Sequence, residues 1–173
     1  MPRLALVLLL IASGVARADV VDSSTAGFTV KQTVTVAAPR AKAWAALVDI
    51  ASWWSKDHTY SGDSKNLSLD PRPGGCFCEK LPTGGVTHLT VVYVDREKAL
   101  RMAGGLGPLQ ELGVAGAMTV RLAEANGKTT VELTYRVGGY APPGGLDQLA
   151  KPVDGVIGAQ LTRYQHLVDT GKP

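Results

Sequence analysis

The sequence predicts an α+β fold: an antiparallel sheet of six to seven strands packed against one long C-terminal helix, with two short helices after the first strand. Three observations predict it. Strand-like alternation recurs between Phe28 and Val137, interrupted by turn residues. A short stretch of helical spacing separates the first strand from the rest. A long apolar stripe of helical period occurs once, from Leu149 to Leu167. Runs of strands with segregated helices define the α+β class.

Phe28, Val30, Val34 and Val36 alternate with Thr29, Lys31, Thr33 and Thr35, a half-buried strand. Pro39 then suits the first turn of a helix, whose apolar face is Trp44, Leu47, Val48 and Ala51. Asp49 is placed to cap a second short turn carrying Ile50, Trp53 and Trp54. Further strands are expected over Lys65–Leu69, Gly74–Leu81, Val86–Val94, Lys98–Ala103, Met118–Ala123 and Thr129–Val137, the last two joined at Asn126-Gly127. In the last strand Val131, Leu133, Tyr135 and Val137 face one way and polar residues the other, the mark of an antiparallel sheet with one wet face. The glycine-rich, apolar stretch Gly104–Gly116 suits either a flap over a pocket mouth or a packed loop. In the terminal helix Leu149, Val153, Val156, Ile157, Gln160, Leu161, Tyr164 and Leu167 form the inward face. Pro152 should kink that helix or mark its start, and Gly171 lies just past its end.

The N-terminus reads as a secretory signal peptide: Arg3, the apolar run Leu4–Ala12, then Ala16-Arg17-Ala18. Cleavage is expected after Ala18, leaving a loose leader over 19–26 and one domain over 27–171, periplasmic or secreted. Without Arg3 and Arg17 the basic and acidic residues nearly balance, which argues against a nucleic-acid binder. The apolar run is shorter than the roughly 20 residues of a membrane span, so no stable membrane insertion is expected. Oligomeric state is not legible.

Val34-Thr35-Val36-Ala37-Ala38-Pro39, Trp44, Ser52-Trp53-Trp54, Pro73-Gly74-Gly75 with Phe77, and Val153-Asp154 in the terminal helix together resemble the helix-grip superfamily. That group includes START lipid-transfer domains, polyketide cyclases and activators of the heat-shock chaperone ATPase. The nearest resemblance is to the bacterial polyketide-cyclase-like and chaperone-activator-homologue branch. It implies a curved sheet wrapped around the C-terminal helix, with a deep cavity between them. Gly155 and Gly158 fit either such a cavity or simple close packing on the sheet.

An apolar small-molecule ligand is the expected partner, with no cofactor. The residues expected to line its site are Trp53, Trp54, Phe77, His88, Met102, Leu106, Tyr135, Val153, Ile157, Gln160 and Tyr164. His88 shares a strand face with Val86, Thr90, Val92 and Val94 if alternation is unbroken. Glu79, Arg101 and Tyr135 are the weak catalytic candidates of a cyclase or dehydratase. Glu79 shares a face with Phe77; if inside, burial would raise its pKa, and otherwise it is a surface carboxylate. A protein-interaction module is the third functional class. No convincing metal set exists. Cys76 and Cys78, two residues apart on one strand face with α-carbons roughly 6.6 Å apart, are open to three readings: structural thiols, a strained and redox-labile disulfide, or part of a soft-metal site.

Overall fold

The computed structural model describes residues 17–140 and 143–173, so the segment expected to be a signal peptide lies almost wholly outside the described residues. Strands β1 (Arg17–Ser24), β2 (Gly27–Val36), β3 (Leu67–Leu69), β4 (Cys76–Leu81), β5 (Gly84–Asp95), β6 (Ala99–Gly104), β7 (Ala115–Ala125) and β8 (Lys128–Gly138) accompany helices α1 (Arg40–Val48) and α2 (Asp147–Thr170). The strands form one curved antiparallel sheet in the order β1-β2-β8-β7-β6-β5-β4-β3.

The sheet has eight strands rather than six or seven. Asp19–Ala26 is not the loose leader expected from its polar composition, because Arg17–Ser24 pairs along β2 as an edge strand. An edge strand takes its stability from ladder hydrogen bonds on one side and needs no apolar stripe of its own.

One face of the sheet is buried as the alternation requires. Val30, Val34, Val36, Val131, Leu133 and Tyr135 pack beneath Ile157, Leu161, Tyr164 and Val168 of α2. Each large side chain so buried contributes about 1.5–3 kcal/mol of transfer free energy. Helix α2 packs against β2 and β1. Leu146 N–H donates to Thr25 O (3.0 Å), fastening the helix start to the β1–β2 turn. At the other end Gly171 takes φ 81° and donates to Leu167 O at 2.8 Å, the left-handed cap that its position predicted. Pro152 lies inside α2 and does not begin it.

Two local expectations change. Asp49 makes no side-chain cap to the short turn Ile50–Ser52. Of the two helix glycines only Gly158 is a close approach: a Cβ there would sit 3.2 Å from the Gln32 amide. Gly155 is exposed with nothing nearby, so neither glycine walls a cavity.

Candidate functional site

Because α2 leans on the β1–β2 edge, its first half stands away from β4 and β5, and a cavity of about 420 Å³ remains between them. Its helix wall is Leu149, Pro152, Val153, Val156 and Ile157; its sheet wall is Phe77 and His88. Residues 57–60 close one side together with Trp54. Leu106, Gly107, Pro108, Leu109 and Leu112, from the glycine-rich segment between β6 and β7, close the other. An apolar cavity of this size with a few polar groups matches the pattern of small-molecule sites.

Two buried polar side chains clip the irregular loop that follows α1. Gln160 Oε1, from α2, accepts from Ser55 N–H at 2.7 Å. Glu79, from β4, accepts from the N–H groups of Tyr60 (3.1 Å) and Ser61. Between these clips Trp54 Nε1–H donates to His58 O at 2.9 Å. The glycine-rich segment is held differently. Tyr135 hydroxyl donates to Gly104 O (2.9 Å) and accepts from Leu106 N–H (3.1 Å). Burial pushes the Tyr135 phenol up to about 12, so it stays protonated and keeps both bonds at neutral pH.

His88 reaches the cavity through a bulge. Phe77 pairs with Leu89 and Cys78 with Thr87, which leaves His88 as the extra residue of β5. Consecutive residues His88 and Leu89 are therefore both buried, which strict alternation forbids. A second irregularity between Val91 and Tyr93 turns Val92 and Tyr93 outward together. The grouping of His88 with Thr90 and Val92 on one face is corrected accordingly, since both of those are exposed. The His88 ring lies against Tyr60 (centroids 5.9 Å, stacked) and Phe77 (4.8 Å). Its Nε2 meets Glu79 Oε2 at 3.0 Å with both side chains buried.

The electrostatics of this pair run in one direction. Burial pushes the Glu79 carboxyl up, but the bonds from Ser61, Tyr60 and His88 outweigh it and hold the pKa below the usual carboxylate value. Burial pulls the His88 pKa down by more than the Glu79 bond and charge raise it. At neutral pH Glu79 is thus an anion that only accepts, and His88 is a neutral imidazole donating from Nε2–H. Its Nδ1 is then a bare acceptor, buried and without a protein partner.

Residues 27–168 match the family described as polyketide cyclase / dehydrase and lipid transport. The chain belongs to that family. No curated protein matches it. Similar solved structures include a conserved protein of unknown function from Enterococcus faecalis, 13% identical, covering 91% of this chain and 79% of that one at a TM-score of 0.60. Another is CalU16 from Micromonospora echinospora, 13% identical, covering 90% and 86% at 0.58. A third is the Aha1 dimer from Colwellia psychrerythraea, 17% identical, covering 84% and 98% at 0.59. At these identities the likeness is one of fold, the helix-grip fold.

Within this cyclase and lipid-transport architecture, six of the expected lining residues border the cavity: Trp54, Phe77, His88, Leu106, Val153 and Ile157. The other five do not. Trp53 donates from Nε1–H to Ala46 O and packs edge-on against Tyr164, whose hydroxyl donates to Ala43 O. Gln160 holds the Ser55 loop, Tyr135 holds the glycine-rich segment, and Met102 is core. Both adjacent tryptophans are buried, because the chain leaves its short helical turn at Trp53. The catalytic candidates do not converge: Arg101 donates to Thr119 and lies over the outward-facing Tyr93. Glu79 is inside with Phe77, yet its pKa is lowered rather than raised, because three donors surround it.

Cys76 and Cys78 form a disulfide with α-carbons 5.4 Å apart, closer than two residues of regular strand. Its sulfurs cannot act as thiolate ligands, which removes the soft-metal reading and the free-thiol reading alike. Among the described residues no group of three or more His, Cys, Asp or Glu could hold a metal ion. No described helix is long and apolar enough to cross a membrane. The expected lining set lacked Leu149, Pro152 and Val156 of α2, as well as residues 57–60, 107–109 and Leu112. Those outside α2 lie in segments where no periodicity marks a face, whereas Leu149 and Val156 belong to the inward stripe of the helix.

Proposed function

We propose that this chain binds an apolar small molecule, such as a lipid or aromatic metabolite, in the cavity between α2 and the sheet, as a carrier or sensor. The observation that carries this is the cavity itself, about 420 Å³ with aliphatic and aromatic walls on nearly every side. The family's description, which names lipid transport, supports the same reading. The pattern of residues 1–18 supports export of the protein, so the ligand would be met outside the cytosol. Native mass spectrometry of protein purified from its source tests the binding, followed by extraction and identification of any retained molecule. A reproducibly empty protein whose melting temperature does not move with lipids or aromatics would sink it. The intact mass of the same preparation tests export, which requires loss of residues 1–18.

A second reading, a cyclase or dehydratase acting on an aromatic or polyketide-like substrate, is favoured by one observation. The buried Glu79–His88 pair places a neutral base in a cavity wall. Turnover of such a substrate that disappears in His88→Gln, with binding retained, would establish it over simple carriage. A protein-interaction module would call for a closed cavity and a large exposed apolar patch, and the cavity between α2 and the sheet weighs against it.

A further inference from the structure

The cavity is apolar on nearly all sides, and one residue of its wall, His88, carries a buried acceptor with no partner. His88 is 4% exposed and Glu79 2% exposed. The Glu79 carboxylate has three donors: Tyr60 N–H, Ser61 N–H and His88 Nε2–H. Since those donors fix His88 Nε2 as the protonated nitrogen, Nδ1 is left with a lone pair and no protein donor. A buried acceptor left unmade costs about 1–3 kcal/mol, so its pairing with a ligand donor is favoured.

We propose that His88 is the polar anchor of the cavity, accepting a hydrogen bond at Nδ1 from a neutral hydroxyl on an otherwise apolar ligand. The inference rests on the reading that the cavity binds an apolar small molecule, and adds the chemistry of the ligand's head. Charge on the page sets that chemistry. The ionisable lining residues are Asp57, His58, Tyr60 and His88, and neither lysine nor arginine is among them. A carboxylate or phosphate head would bring a negative charge close to Glu79 with no cation to receive it. An ammonium head would have to leave water for apolar walls, while the Glu79 oxygens are already occupied. A hydroxyl meets neither penalty and supplies the missing proton. Tyr60 and Phe77 flank the ring; Nδ1 presents no open surface in this structure, so the side chains around it must shift for the hydroxyl to reach it.

The test is a head-group series on one apolar body: decanol, its methyl ether, decanoate and decylamine. Binding is read by calorimetry and by the fluorescence of Trp54, which lines the cavity. Decanol is expected to bind about tenfold tighter than the ether, in which a methyl group replaces the hydroxyl proton, and tighter than both charged heads. In His88→Phe the alcohol should fall to the affinity of the ether, while the ether itself still binds. Equal affinities of alcohol and ether for the native protein would overturn the anchor and leave the cavity reading standing. Tighter decanoate or decylamine would overturn the neutral head. Failure of all four to bind would overturn the cavity reading and the anchor with it. The comparison within the native protein decides the question even if His88→Phe does not fold.

Discussion

Glu79 and His88 meet at 3.0 Å on neighbouring strands, and the same carboxylate holds the backbone of Tyr60, whose ring lies over the imidazole. One buried anion therefore orients the histidine and fastens the loop that covers it. Removing its charge should affect both. Glu79→Gln keeps the shape but weakens bonds to an ionised acceptor, each worth about 1.5–3 kcal/mol. The expected result is a loss of stability in that range and faster hydrogen exchange at the amides of Tyr60 and Ser61. Unchanged exchange at those two amides would show that the loop is held by something else.

The pair also sets an acid profile. His88 has its pKa lowered in the fold, so below pH 6.5 the unfolded chain takes up a proton that the folded chain resists, and stability falls. Glu79 is likewise lowered, so its contribution is present above pH 4.5 and is lost as the pH falls through its lower folded value. Both act in the same direction. Thermal melts from neutral to acid pH should decline in the native protein from about pH 6.5 downward. His88→Gln should remove the upper part of that decline and keep the lower. Superimposable profiles above pH 5 would refute the assignment.

Tyr135 offers a separate handle on the glycine-rich segment between β6 and β7. Tyr135→Phe removes the hydroxyl that bridges Gly104 O and Leu106 N–H and alters nothing at the cavity wall. It should cost about 1 kcal/mol and raise exchange and proteolysis across residues 104–113. Ligand release should quicken if that segment gates the cavity. Protection equal to the native protein would show that the buried Leu109 and Val114 alone hold it.

The cysteines make a countable prediction. The native protein should present no alkylatable thiol, and two after reduction. Phe77, between them, touches Trp54 and His88, so reduction should also shift tryptophan fluorescence. Two thiols found without reductant would exclude the bond.

Helix α2 carries a stabilising substitution in plain view. Gly155 is exposed and faces open space, so Gly155→Ala should gain about 0.5–1 kcal/mol by chemical denaturation. Gly158→Ala should gain less, because its methyl would press on the Gln32 amide. The reverse order would mean that the helix packs differently.

The main fold was legible because most of its elements keep their period: β8 and α2 show an apolar stripe that survives any small error in their ends. That Glu79 shares a face with Phe77 was legible in the alternation, but whether that face points inward was not; the structure buries both. The position of β1 was not legible, since Arg17–Ser24 pairs through its backbone and its exposed Val21 marks a break in register rather than a buried face. The Tyr60 side of the cavity was hidden for a different reason. Its place is fixed by Glu79 and Gln160, which are distant in sequence and leave no local pattern. Burial alone also misjudged the sign at Glu79, where donors from a loop outweighed it.

The extra residue in β5 makes the site a matter of chain length as much as of side-chain identity. Upstream of it Val86 and Thr87 are in phase with Glu79 and Cys78; downstream Leu89 is in phase with Phe77. Deleting one residue at this point would restore an unbroken pleat and erase the inward slot that His88 occupies, with every other lining residue still present. Among relatives of this chain, a gap of one position opposite Phe77–Cys78 should therefore mark proteins that lack the polar anchor. An alignment that smooths over that gap would hide the difference.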